Sequence, residues 1–108
     1  MSANLLQHDV LVIGGGAAGL SAALRLPSHL RVALICKGNV NEGSTYWAQG
    51  GMAAVLDSAD TVESHVADTL VAGAGLCNPD AVRFTVSHSR RCVEWLVEQG
   101  VDFDLRHG

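Results

Sequence analysis

Three glycines, Gly14, Gly16 and Gly19, have the spacing that points most directly to chemistry, G-x-G-x-x-G within residues 9–20. Between a strand and a helix, the first glycine of such a set permits a tight turn. The second lets the backbone approach a pyrophosphate, and the third lets the helix pack close to the strand. An anion held there rests on the N–H groups of the helix N-terminus, where the macrodipole is positive. Farther on, a polar stretch from Gly38 to Gly51 carries Asn39, Asn41, Gly43, Ser44, Thr45, Gln49 and Gly50. So long an irregular stretch inside a compact domain is usually functional or disordered. Tyr46 and Trp47 within it argue against disorder.

The glycines need a strand before them and a helix after. Val10–Ile13 is a short continuous apolar run, as expected of a strand buried on both faces of a parallel sheet. Ala17 to Leu26 is rich in Ala and Leu, and Pro27 ends that helix. Ala18 and Ala22 share one of its faces and suit close packing on a sheet. Arg31 to Cys36 is the second apolar run and the expected second parallel strand. Together these form one βαβ unit of roughly 30 residues.

Beyond it, Met52 to Leu56 is a short apolar segment whose pattern fits helix or strand. Thr61 to Ala72 reads as a helix with Val62, Val66 and Leu70 on one face and Gly73 as its C′ stop. A further helix is expected from Asn78 as N-cap, with Pro79 at its first position and Asp80 in its first turn. Val82, Val86, Val93 and Leu96 form its stripe, and Gly100 closes it. Residues 101–105 alternate apolar and acidic, as in an edge strand or turn entry. Two parallel strands rarely stand alone, because both faces need covering. The chain is therefore expected to be the front of a longer protein.

The 108 residues suffice for one domain with a modest core, and 48% apolar residues favour folding over disorder. The net charge of −4 is spread along the chain, and Arg90-Arg91 is too short for a nucleic-acid patch, so no nucleic-acid partner is expected. Three widely spaced cysteines, Cys36, Cys77 and Cys92, without a secretory signal suggest free thiols in a reducing compartment, as small buried hydrophobes. The first seven residues carry no basic residue, and Val10–Ile13 is too short for a signal or a membrane span. A cytoplasmic protein without membrane contact is expected. His8, His29, His65, His88 and His107 show no metal spacing. Glu94 and Glu98 read as a solvated helix face.

The segment Gly43-Ser44-Thr45-Tyr46-Trp47-Ala48-Gln49-Gly50-Gly51-Met52-Ala53-Ala54 resembles the S-T-x-x-A-Q-G-G-[IM]-A-A signature of the succinate dehydrogenase/fumarate reductase flavoprotein superfamily. Within it, the likeness is greatest to the L-aspartate oxidases. Residues 64–77 and 92–101 continue it, so that it covers the chain from Asp9 onward.

This resemblance implies a Rossmann-like α/β FAD-binding domain. Gly14, Gly15, Gly16, Ala17 and Ala18 would contact the pyrophosphate, and Lys37 would lie beside the adenosine ribose. Ser44, Thr45, Tyr46, Trp47, Ala48, Gln49, Gly50 and Gly51 would wrap the diphosphate and flavin. The implied reaction is oxidation of L-aspartate to iminoaspartate, with electrons passed to O2 or fumarate. The product would be handed to quinolinate synthase for NAD biosynthesis. The catalytic arginine and substrate ligands, with the capping and C-terminal helical domains, would lie outside these residues, so no catalytic residue is assigned.

Two departures matter. Dinucleotide folds usually place an acid after the second strand, whereas Cys36-Lys37 stand here and the nearest downstream acid is Glu42. The aspartate oxidases share this Lys. Ser44 stands where membrane-bound relatives carry the histidine that attaches FAD, so noncovalent FAD is expected. Two alternatives to an aspartate oxidase are a soluble fumarate reductase or succinate dehydrogenase-type flavoprotein and a non-catalytic NAD-binding module. A third is a fragment that does not fold.

Overall fold

A computed structural model describes residues 4–104 and divides the chain into two compact units, residues 1–50 and 51–108.

In the first unit, strand β1 (Val10–Ile13) leads into helix α1 (Ala17–Arg25), which returns to strand β2 (Val32–Ile35). The strands pair in parallel, with Val10 opposite Val32 and Ile13 opposite Ile35. The Asp9 carboxylate fixes that register. It accepts from the Arg31 backbone N–H at 2.8 Å and from the guanidinium Nε and Nη2 at 3.2 and 3.1 Å. The Asp9 N–H in turn donates to the Arg31 carbonyl at 2.8 Å. Gly14 extends the ladder by one bond to the Ile35 carbonyl and then turns at φ 114°, a region that side chains strongly disfavour. Helix α1 crosses one face of this sheet, where Gly19 lies against the Gly14 carbonyl and Val12. A methyl at residue 19 would overlap that carbonyl.

β1 is not buried on both faces. Val10 and Val12 are half-buried, whereas Leu11 and Ile13 are 55% and 81% exposed. The reason is that α1 covers a single face, and period-2 alternation sends every other side chain to the other side.

After β2 the stretch taken as irregular holds two short turns of helix, a 3-10 turn at Val40–Glu42 and α2 at Ser44–Trp47. Asn39 and Glu42 close a reciprocal capping box around the first turn, with the Asn39 N–H and amide donating to Glu42 at 3.1 and 2.9 Å.

The second unit packs α3 (Val62–Ala72) against α4 (Pro79–Ser87), followed by α5 (Ser89–Glu98). Its core is Val55, Val66 and Val86, flanked by Val62, Leu70 and Val82. Thr61 and Asn78 cap α3 and α4 through side-chain oxygens that accept from Ser64 and Ala81 N–H groups. Residues 51–56 form neither helix nor strand. Val55 is instead placed by its N–H donating to Ser89 Oγ at 3.2 Å.

Other details differ from expectation. The helix expected from Asn78 to Gly100 breaks at His88. The His88 ring Nδ1 lies 2.6 Å from the Phe84 carbonyl, the group its own backbone N–H would need, and that N–H turns to Thr85 instead. Gly73 is right-handed at φ −75°, and the left-handed residues that stop α3 are Ala74 and Gly75. Of the two alternatives for residues 101–105, the strand is not formed by residues 101–104, and Leu105 lies outside the described residues. Cys36 and Cys77 are half-buried, but Cys92 is exposed on α5.

Two outcomes follow. Gly19→Ala must push α1 off β1 and is expected to destabilise by about 1–3 kcal/mol in chemical denaturation, as overpacking does. The Arg31 side-chain and backbone donors hold the Asp9 carboxyl below its ordinary value. Its stabilising contribution is present above the usual carboxylate range and is lost as pH falls through the lowered value. Below about pH 4, thermal unfolding of wild type should therefore approach that of Asp9→Asn, with the difference widest near neutrality.

Candidate cofactor site

The turn after β1, the N-terminus of α1 and the segment after β2 enclose a cleft of about 920 Å³. Gly14, Gly15 and Gly16 form one wall, continued by Ile13. Ile35, the last residue of β2, is followed on the lining by Cys36 and Lys37, and residues 38–40 and 42–45 complete it.

The glycines leave this wall bare of side chains. No atom lies near the place a Cβ would take at Gly14, and at Gly16 the nearest is Thr45 Oγ1, at 3.3 Å. Gly16 is the N-cap of α1 and offers no side-chain cap. Its role passes to Thr45, whose Oγ1 accepts from the Ala17 N–H at 3.2 Å. Such a cradle suits a diphosphate: bare backbone at a helix start, a hydroxyl beside it and a lysine on the lining. FAD chemistry therefore fits the residues present.

Of the residues expected at the site, Gly14, Gly15, Gly16, Lys37, Ser44 and Thr45 come together on this cleft. Ala17 joins them through its bond to Thr45, and Ala18 is exposed in the first turn of α1. Tyr46 and Trp47 sit on α2, 62% and 70% exposed, with their rings edge-to-face at 5.4 Å. Ala48, Gln49 and Gly50 continue as exposed chain away from the cleft lining, and Gly51 begins the second unit.

Asn39 and Glu42 were missed as site residues, and both line the cleft. Their signal was present in the Asn-x-x-Glu spacing, a capping-box pattern that folds an acid back toward the residue three before it. Hydrogen bonds from the Asn39 side chain and backbone hold the Glu42 carboxyl below its ordinary range, so it is ionised at neutral pH. Among the described residues no group of three or more His, Cys, Asp or Glu could hold a metal ion.

A family model described as FAD binding domain matches residues 9–108. The chain belongs to the FAD-binding domain family. It is 73% identical over 97 residues to an L-aspartate oxidase of Pseudomonas aeruginosa, covering 90% of this chain and 18% of that protein. An L-aspartate oxidase of Yersinia pestis is 60% identical, over 89% of this chain and 18% of the relative. One of Synechocystis is 53% identical over the whole chain and 19% of its own length. The resemblance to the L-aspartate oxidases seen in residues 43–54 is thus borne out. The chain spans about a fifth of the length of these relatives. Among the described residues, no helix is long and apolar enough to cross a membrane.

Thr45→Val keeps the side-chain shape but removes the oxygen that caps α1. It is expected to cost about 1 kcal/mol of stability, as loss of a helix cap does, while Thr45→Ser retains most of the wild-type value. Urea denaturation of the three proteins checks this.

Proposed function

We propose that residues 1–108 are the N-terminal part of the Rossmann-like FAD-binding domain of an L-aspartate oxidase. The observation that carries this is the cleft itself, which sets bare glycine backbone at the start of α1 beside Thr45. The identity to relatives named L-aspartate oxidase supports the choice of enzyme.

Gly14 to Ala18 would hold the pyrophosphate through backbone N–H groups. Lys37 would lie by the adenosine ribose, and Ser44 and Thr45 would contribute hydroxyls to the diphosphate. Tyr46 to Gly51 would continue around the flavin, with Tyr46 and Trp47 as apolar surface and Gln49 as a polar contact. FAD, when bound, supplies the two-electron oxidation of L-aspartate to iminoaspartate, with electrons passing on to O2 or fumarate. The product would go to quinolinate synthase, which places the enzyme at the first step of de novo NAD synthesis in the cytoplasm. The substrate-capping and C-terminal helical domains, with the groups that bind and activate aspartate, would be carried by the rest of a full-length protein.

Ser44 bears on how the cofactor is kept. A serine has no ring nitrogen to bond to the flavin, so FAD would be held by noncovalent contacts alone.

The full-length protein should be yellow and release all of its flavin to the supernatant on acid precipitation. It should form peroxide in air only when L-aspartate is present, whereas the 108-residue chain alone should form none. Flavin retained in the pellet overturns noncovalent attachment. A colourless protein that binds NAD overturns the FAD reading, and succinate oxidation without aspartate oxidation overturns the substrate.

A further inference from the structure

We propose that Glu42 is the carboxylate that binds the ribose hydroxyls of the adenosine half of FAD, in place of the acid missing from the end of β2. This rests on the FAD reading above.

Dinucleotide folds use an acid at the end of the second strand to accept hydrogen bonds from the ribose. The chain has Cys36 and Lys37 there, and neither side chain is a strong acceptor. The fold returns one from five residues beyond Lys37. The 3-10 turn at Val40–Glu42 doubles the chain back, so that Glu42 Oε2 lies against Gly38, close to the end of β2. A methyl at residue 38 would occupy the same space as that oxygen. The carboxylate is also held in orientation, because Oε2 accepts from the Asn39 N–H at 3.1 Å and Oε1 from the Asn39 amide at 2.9 Å.

Each carboxylate oxygen can accept more than one hydrogen bond. With one donor from Asn39 on each, the group keeps acceptor capacity on both oxygens, which matches a vicinal diol with two O–H donors. Glu42 is exposed and lines the same cleft as Gly14, Gly16 and Lys37. The capping box orders the 3-10 turn and at the same time aims the acid.

The test uses full-length apoprotein, with affinity read from flavin fluorescence on titration. The two ligands are FAD and a synthetic FAD whose adenosine carries 2′,3′-dideoxyribose. Glu42→Gln can still accept from the Asn39 N–H, since Gln serves at that position, but it removes the charge and one of the two acceptor oxygens. Gly38→Ala keeps the charge and displaces the carboxylate. Wild type should bind FAD at least ~10-fold more tightly than the dideoxy analogue, as expected for lost bonds to a charged acceptor. Both variants should lose that preference by weakening for FAD alone. Variants that bind FAD as wild type does, or that weaken equally for both ligands, overturn the assignment and leave the FAD reading standing. A full-length protein that binds neither ligand overturns both.

Discussion

The cleft depends on one close approach. Helix α1 can settle against the end of β1 only because residue 19 presents no side chain to the Gly14 carbonyl. That contact fixes where the helix begins, and the helix start is one wall of the cleft. Gly14 makes the approach possible from the other side, since its positive φ turns the chain out of the strand. The Asp9–Arg31 fork then holds the two strands in the register that brings Lys37 to the same end as Gly14. No residue of this unit is fully buried among those described, so its geometry is carried by backbone contacts and one ion pair rather than by a packed interior.

The second unit is built differently. Its three buried valines come from α3, α4 and the segment before α3, and they interlock as a small conventional core. Around it, polar side chains settle the connections: Ser89 accepts from Val55, and Arg90 donates to the Leu56 carbonyl. The exposed Arg83–Glu63 pair adds little, because water screens both partners. Removing apolar surface from water is the main term here, whereas in the first unit steric fit is decisive.

The strand–helix–strand unit was legible because apolar runs, glycine spacing and Pro27 agree on its boundaries. The caps at Thr61 and Asn78 were legible for the same local reason. The break at His88 was hidden, since the stripe from Val82 to Leu96 reads as one helix and the interruption comes from a side chain taking a backbone acceptor. The single turn at Ser44–Trp47 was hidden because Ser and Thr compete with the backbone for hydrogen bonds and read as loop. The open side of β1 could not be read from four apolar residues, because covering a face is a matter of neighbouring elements. At the cleft, the glycines, Lys37, Ser44 and Thr45 announced themselves by type. Glu42 did not, since its place depends on a reversal of direction between Gly38 and Gly43.

The bond from the Ala17 N–H to Thr45 Oγ1 satisfies one of the amides at the start of α1. Any phosphate oxygen arriving at that amide is a competitor for an occupied donor, and the hydroxyl it displaces is tethered to the same chain. Its gain is the difference between a charged acceptor and a neutral one, rather than the full worth of a new hydrogen bond. Association there is an exchange reaction, and the released Thr45 hydroxyl becomes a donor free to follow the anion it has just made way for.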